Sequence, residues 1–124
     1  MQTARPLFKQ VKAIALSVSD LARAQCFYSD TLGLSPVREA DGQSGCMLGD
    51  VILLFKDDWY GRPTDAPNPR VTLEVDDALA TEAILKAGGV NISDPVKRYE
   101  DALVGGFLDS EGNKLWFCSA VPAP

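Results

Sequence analysis

The sequence predicts an α+β fold made of two similar halves, each a strand, a helix and three further strands. Two observations lead to this prediction. Residues 13–20 (Ala-Ile-Ala-Leu-Ser-Val-Ser-Asp) return as residues 70–77 (Arg-Val-Thr-Leu-Glu-Val-Asp-Asp). Each copy is then followed by apolar residues at helical spacing and by a glycine that ends the pattern. One half alone buries little core, so the two halves must pack together.

The first half reads in order as strand, helix and three strands. Ser19 or Asp20 is the candidate N-cap of the helix, and Gly33 is its expected stop. Pro36 interrupts the second strand and favours a position at the edge of a sheet. Gly49 and Asp50 form the two-residue turn of a hairpin. The predicted bounds of these five elements are residues 11–18, 21–31, 34–40, 45–48 and 51–56.

The second half repeats this order. Asp76 or Asp77 is the candidate N-cap of its helix, and the pair Gly88-Gly89 is the expected stop. A tight turn through residues 111–113 leads into the last strand, which begins near Lys114. The predicted bounds of the preceding elements are residues 70–75, 78–87, 90–98 and 102–108.

Between the halves, residues 57–69 are rich in proline and polar groups, which predicts a linker. We therefore place module one at about residues 10–57, the linker at residues 58–68 and module two at residues 69–119. All three belong to one domain, because 124 residues is an ordinary single-domain length.

The final hairpin repeats as well. Residues 49–55 (Gly-Asp-Val-Ile-Leu-Leu-Phe) align with residues 112–118 (Gly-Asn-Lys-Leu-Trp-Phe-Cys), and this alignment matches Leu53 with Trp116. Alternation along the last strand puts Trp116 on the face opposite its two sequence neighbours. We expect the function to depend on what surrounds the Trp116 ring.

Composition excludes several partners. The formal net charge of -5 argues against nucleic acid, which is bound through clustered Lys and Arg. No apolar run approaches the roughly 20 residues needed to cross a bilayer, so no membrane partner is expected. The first residues lack the apolar run of a secretory signal, and this predicts a cytoplasmic location.

The chain contains no histidine, and its three cysteines are widely spaced. Histidine is the commonest ligand of catalytic metals and the commonest proton shuttle near neutral pH. The sequence therefore predicts neither a conventional metal site nor a histidine base, and we expect no cofactor.

Three stretches resemble the vicinal oxygen chelate superfamily, which includes glyoxalase I, the bleomycin resistance proteins and the extradiol dioxygenases. The first stretch is Ala-Ile-Ala-Leu-Ser-Val-Ser-Asp-Leu from residue 13, which is followed by Phe27-Tyr28 and Leu32-Gly33-Leu34. The second stretch is Arg-Val-Thr-Leu-Glu-Val-Asp-Asp from residue 70. The third stretch is Phe-Leu-Asp-Ser-Glu-Gly-Asn-Lys-Leu from residue 107. The resemblance implies two βαβββ modules with curled mixed sheets. It also implies helices on the convex faces, a concave binding cavity and a homodimer.

Metal-dependent members of this superfamily place ligands at four equivalent positions on the concave face. In this sequence the resemblance puts those positions at Ala13, Leu53, Arg70 and Trp116. Two of these side chains are apolar, guanidinium has no acceptor, and indole is a donor only. The resemblance therefore predicts the fold without its metal, and we expect these four residues to line a ligand-binding cavity instead.

Trp116 is interpreted either as a stacking platform for a flat ligand or as a core side chain that fills the old metal site. Arg70 either grips a carboxylate or phosphate, or pairs internally with Glu74 on the same face. Glu74 is the one carboxylate nominated as a general base and as a ligand contact. Three other aromatic residues are expected at the cavity mouth or on the surface, namely Trp59, Tyr60 and Tyr99.

The leading hypothesis is a metal-free binding protein that sequesters a small aromatic or anionic molecule, such as an antibiotic. The alternative is an enzyme of the same superfamily, resembling the lyases or dioxygenases, with a non-standard metal or none. A third reading is a domain whose cavity is vestigial and which serves protein contacts alone. The fold by itself does not choose among them, so enzyme activity stays open.

Overall fold

The computed structural model describes residues 9–38, 44–58, 61–67 and 70–122. Its first half contains the strands and helix listed here: β1 (Ala13–Ser17), α1 (Leu21–Cys26), β2 (Ser35–Arg38), β3 (Ser44–Leu48) and β4 (Val51–Lys56). Its second half contains β5 (Thr72–Glu74), α2 (Ala78–Ala87), β6 (Asn91–Tyr99), β7 (Ala102–Leu108) and β8 (Lys114–Ala120). The predicted order of elements is confirmed in both halves.

The strands form two four-stranded mixed sheets with the same topology. The strand order is β1-β4-β3-β2 in the first sheet and β5-β8-β7-β6 in the second. In each sheet the opening strand runs parallel to the closing strand, and the remaining neighbours are antiparallel. The strand β2, which contains Pro36, lies at the sheet edge as predicted, where a missing backbone N–H group costs no ladder bond.

The first helix differs from the prediction of one α-helix reaching Thr31. Asp20 caps it through a hydrogen bond from the Arg23 backbone N–H group, at 3.0 Å. From Phe27 to Thr31 the helix then continues with π-helical geometry, and the Leu32 N–H group donates to the Phe27 carbonyl five residues back. Side-chain spacing does not reveal this widening, because the backbone hydrogen-bond partner defines it.

Helix α2 matches its prediction at both ends. The Asp77 carboxylate accepts a hydrogen bond from the Ala80 N–H group at 3.0 Å, which makes Asp77 the N-cap. The helix stops at Gly88, and Gly89 follows at a φ of +82°, a conformation that L side chains rarely adopt.

One face of each sheet packs against its own helix. In the first sheet Leu53 and Phe55 are buried against α1, and in the second Leu115 and Phe117 are buried against α2. The alternation predicted for β8 is thus confirmed. We call the opposite face of each sheet, which no helix of the described residues covers, its open face.

The loop of residues 109–113 fastens the second half to the first. The buried Asp109 carboxylate accepts a hydrogen bond from the hydroxyl group of the buried Tyr28, at 2.7 Å, and another from the Asn113 N–H group. The Asn113 side-chain amide donates to the Ser17 carbonyl at 2.7 Å. Burial and then the neighbouring Asp109 carboxylate raise the pKa of Tyr28 well above its usual value, so this hydroxyl stays a hydrogen-bond donor.

The carboxylate of Glu111, in the same loop, docks on the start of α1. It accepts hydrogen bonds from the backbone N–H groups of Ser19 and Asp20, at 2.9 and 3.1 Å, and from the Arg23 guanidinium at 2.7 Å. The Arg23 hydrogen bond is the largest cause that lowers the pKa of Glu111 to about 2. The two halves are thus joined by charged and buried polar contacts.

Candidate functional site

The open face of the second sheet carries a row of four register partners, one from each strand. Thr72 on β5 lies beside Trp116 on β8, Trp116 lies beside Gly106 on β7, and Gly106 lies beside Asp94 on β6. Paired residues of neighbouring strands project to the same face of a sheet, so these four share the open face. The predicted placement of Trp116 away from the core is correct.

The prediction that Leu53 shares this type of face is wrong. Leu53 is fully buried on the core face of the first sheet, and its register partner on β1 is Ile14. The residue equivalent to Trp116 is Leu54, because Leu54 pairs with Ala15 as Trp116 pairs with Thr72. Leu53 therefore cannot line a cavity on the open face.

The misplacement has a simple cause. The first hairpin turns through two residues, Gly49 and Asp50, whereas the last one turns through five, 109–113. Matching Gly49 to Gly112 therefore shifted the repeat by one residue, and a shift of one residue moves every side chain of a strand to the other face. Ala13 pairs with Ile52, which puts both residues on the open face of the first sheet.

Two cations lie against the half-buried Trp116 ring. The Arg70 guanidinium carbon is 4.0 Å from the ring centroid, and the Lys114 ammonium nitrogen is 4.1 Å from it. Both distances lie well within the range of cation–π attraction. The structure thus brings together two residues that the sequence nominated, Arg70 and Trp116, and adds Lys114 to them.

Lys114 is also paired with a carboxylate. Its ammonium group forms an ion pair with Asp94, and this contact is the largest cause that lowers the pKa of Asp94, with a smaller contribution from Arg70. The Ser93 hydroxyl donates to the same carboxylate at 2.9 Å. Sequence reasoning missed Asp94, because β6 meets β7 with two register shifts around this residue and its facing partner cannot be read from spacing.

The indole nitrogen of Trp116 completes the cluster. Its N–H group is buried, and it has no hydrogen-bond partner among the described residues. A buried donor without a partner costs free energy, but protein atoms cover this nitrogen, so a bound molecule reaches it only if neighbouring side chains move. The cluster therefore presents an indole ring flanked by Arg70, which has no ion-pair partner among the described residues, and by the Lys114–Asp94 ion pair.

The other nominated residues lie apart from this cluster. Glu74 is exposed, and among the ion pairs of the described residues none joins it to Arg70. The Tyr99 side chain is 57% exposed near the end of β6. Trp59 and Tyr60 fall outside the described residues, so their predicted place at a cavity mouth stays a prediction.

Two cavities lie away from the Trp116 cluster. One of about 660 Å³ lies along α1, where Gln25 and Cys26 are among its lining residues. The other, of about 260 Å³, lies between the two halves, and it is lined mainly by apolar residues, with Glu74 at its wall. Neither of these two cavities has Trp116, Arg70 or Lys114 among its lining residues.

The four positions that the resemblance assigns to metal ligands do not fit a divalent metal. Indole, guanidinium and the Ala13 methyl group provide no lone pair for a metal, and Leu53 is in the core. Over the described parts of the chain, no three His, Cys, Asp or Glu side chains come together as a metal site requires. In the same parts, no helix is both long and apolar enough to span a membrane.

Solved structures of the same architecture cover nearly the whole chain. TnmS3, an antibiotic binding protein from Streptomyces sp. CB03234, superposes with a TM-score of 0.79 at 22% identity, over 94% of this chain and 100% of that one. Lactoylglutathione lyase from Agrobacterium tumefaciens gives a TM-score of 0.69 at 22% identity, over 93% and 96%. A glyoxalase/bleomycin resistance protein/dioxygenase from Alicyclobacillus acidocaldarius gives 0.68 at 19%, over 91% and 92%.

At these identities the similarity establishes the fold and not the ligand. No curated protein matches the chain. The family model that matches residues 10–117 is that of the Glyoxalase/Bleomycin resistance protein/Dioxygenase superfamily. With its paired βαβββ sheets and this match over most of its length, the chain belongs to the Glyoxalase/Bleomycin resistance protein/Dioxygenase superfamily.

Proposed function

We propose that this protein is a metal-free binding protein that sequesters a small organic ligand with a flat aromatic part and an anionic group. The observation that carries the proposal is the placement of Arg70 and Lys114 about 4 Å from the centre of the Trp116 ring. A flat anion gains from stacking beside indole and from charge-assisted hydrogen bonds to the guanidinium group.

A second copy of the chain completes the site in this proposal. The open face of the first sheet is apolar at the matching positions, which are Ala13, Ile52 and Leu54. If that face from one copy covers the cationic face of the other, the ligand is enclosed between an apolar wall and a charged wall. The setting we propose is a cytoplasmic homodimer, as the sequence predicts.

An antibiotic is one candidate ligand, since TnmS3 binds an antibiotic and shares this fold. Many antibiotics combine ring systems with ionisable groups, which suits the chemistry of the Trp116 cluster. The proposal rests on that cluster and not on the identity of the neighbour, because this fold hosts several functions.

The test is a titration of aromatic carboxylates and antibiotics followed by tryptophan fluorescence and calorimetry. Trp116→Leu gives this position the residue that the first sheet has at the equivalent position, Leu54, and it is expected to abolish binding. Arg70→Gln is expected to weaken binding about tenfold or more. Tyr99→Leu removes an exposed aromatic residue elsewhere and serves as the matched control. Ligands that bind equally well to the Trp116→Leu variant would contradict the proposal.

Two further measurements address dimerisation and the enzyme alternative. Light scattering after size exclusion should give twice the chain mass of 13.3 kDa, and full binding by a monomer would contradict the proposed enclosure. Elemental analysis of protein purified without chelators should show no stoichiometric metal. A bound metal, or turnover that Glu74→Gln abolishes, would favour the lyase-like or dioxygenase-like reading instead.

A further inference from the structure

The charges on the open face of the second sheet can be counted row by row. In the row nearest the indole, Arg70 and Lys114 supply two positive charges, and Asp94 supplies one negative charge. The next row of register partners begins with Glu74 on β5, crosses β8 and β7, and ends with Lys97 on β6. The negative charge of Glu74 and the positive charge of Lys97 cancel in the count. These two rows together therefore carry a net charge of one positive unit.

That unit charge belongs to Arg70. The Lys114 ammonium group is already paired with Asp94, and the Lys114 side chain is only 15% exposed. Arg70 is an exposed residue and forms no ion pair within the described parts of the chain. An incoming anion therefore meets one cation that is available and another that is already neutralised.

Gly106 is what allows Asp94 to reach Lys114. A β-carbon at Gly106 would lie 2.8 Å from the Asp94 carboxylate oxygen and 3.2 Å from the Lys114 ε-carbon. Real β-carbons essentially never lie within 3.0 Å of another heavy atom, so with any other residue at this position the Asp94 carboxylate would have to shift. The carboxylate thus lies over a glycine beside the indole, where it also faces any ligand that stacks there.

Resting on the proposed function, we propose that this site selects flat ligands with a single negative charge and discriminates against flat dianions, with Asp94 as the residue that sets this selectivity. Arg70 binds the single carboxylate. A second carboxylate on the same ring finds no other available cation, because Lys114 is already paired with Asp94, and it lies near the Asp94 carboxylate. Like charges brought together in a partly desolvated site repel, and this repulsion separates the two ligand classes.

The experiment compares two matched ligand pairs by calorimetry on the full chain. They are benzoate with phthalate, and 2-naphthoate with naphthalene-2,3-dicarboxylate. The wild-type protein is expected to bind each monocarboxylate about tenfold more tightly than its dicarboxylate. Asp94→Asn is expected to shift this ratio about tenfold toward the dicarboxylate, because Lys114 becomes available.

Asp50→Asn is the matched control, since it removes the same charge from an exposed hairpin turn on the other half. It is expected to leave the ratio unchanged. Lys114→Gln is the second variant: it leaves Asp94 free to pair with Arg70, and it should weaken monocarboxylate binding about tenfold. Thermal unfolding of each variant confirms that it is folded before its ratio is interpreted.

The outcomes separate this inference from the proposed function. Wild-type binding of monocarboxylates with a ratio that Asp94→Asn does not change overturns the selectivity and leaves the binding function standing. A wild-type preference for the dicarboxylates does the same. Failure of the wild type to bind any of the four probes overturns both.

Discussion

Leu54 in the first sheet and Trp116 in the second occupy equivalent places in two sheets of identical topology. The residues around Leu54 are Ala13, Ile52 and Val37, and the corresponding residues around Trp116 are Arg70, Lys114 and Asp94. The core faces do not differ in this way, since Phe55 and Phe117 are both 1% exposed. Packing constrains the core face of each repeat, whereas the open face is free to change its chemistry.

The largest expected effect tests the similarity of the two cores. Phe55→Ala and Phe117→Ala should each reduce the free energy of unfolding by about 3–5 kcal/mol, because each leaves a cavity in a buried cluster. Denaturant titration of both variants measures this. If one of the two substitutions leaves the free energy of unfolding unchanged, the two core faces are not equivalent.

The next effect concerns the loop, where the two halves differ most. Asp109→Ala should cost about 1–3 kcal/mol, since it leaves the buried Tyr28 hydroxyl group and the Asn113 N–H group without their acceptor. Asp50→Ala, in the short turn of the first hairpin, should stay within about 0.5 kcal/mol. Equal costs in urea unfolding would show that the loop does not fasten the halves together.

A pH series addresses the same loop through Glu111. The pKa of Glu111 is lowered from 4.5 to about 2 in the folded protein. The ionised Glu111 carboxylate therefore stabilises the folded state at pH values above 4.5. That contribution, about 1 kcal/mol for a contact with an exposed arginine partner, should be lost as the pH falls from about 4.5 to 2. Glu111→Gln should flatten this part of the stability curve. If the loss of stability between pH 4.5 and 2 is the same in that variant, other carboxylates cause the pH dependence.

The smallest effect on stability is expected where the effect on function is largest. Trp116→Leu gives the second sheet the open-face residue of the first and should change the free energy of unfolding by no more than about 1 kcal/mol, since the ring is half-buried outside the core. Binding of aromatic anions should nevertheless disappear. A severe loss of stability in thermal unfolding would instead identify Trp116 as a core side chain, which is the alternative interpretation of the sequence.

Much of the fold could be predicted from local patterns. The ends of α2 at Asp77 and Gly88 were predicted because capping and helix termination depend on neighbouring residues only. The strands of both hairpins also lie where the sequence predicts them. The candidate site was predicted in part. Alternation along β8 correctly put Trp116 opposite the core, but Leu53 was assigned to the wrong face because the two hairpin loops differ in length.

The sequence by itself determined the repeat, the core face of the last strand and the lack of histidine ligands, because these follow from composition and from contacts between close neighbours along the chain. The tertiary structure alone decided that Asp94 reaches Lys114 over Gly106 and that both Arg70 and Lys114 lie against Trp116. Those contacts join strands whose mutual register includes bulges, and register between strands is set by the packing of the whole sheet rather than by any one segment.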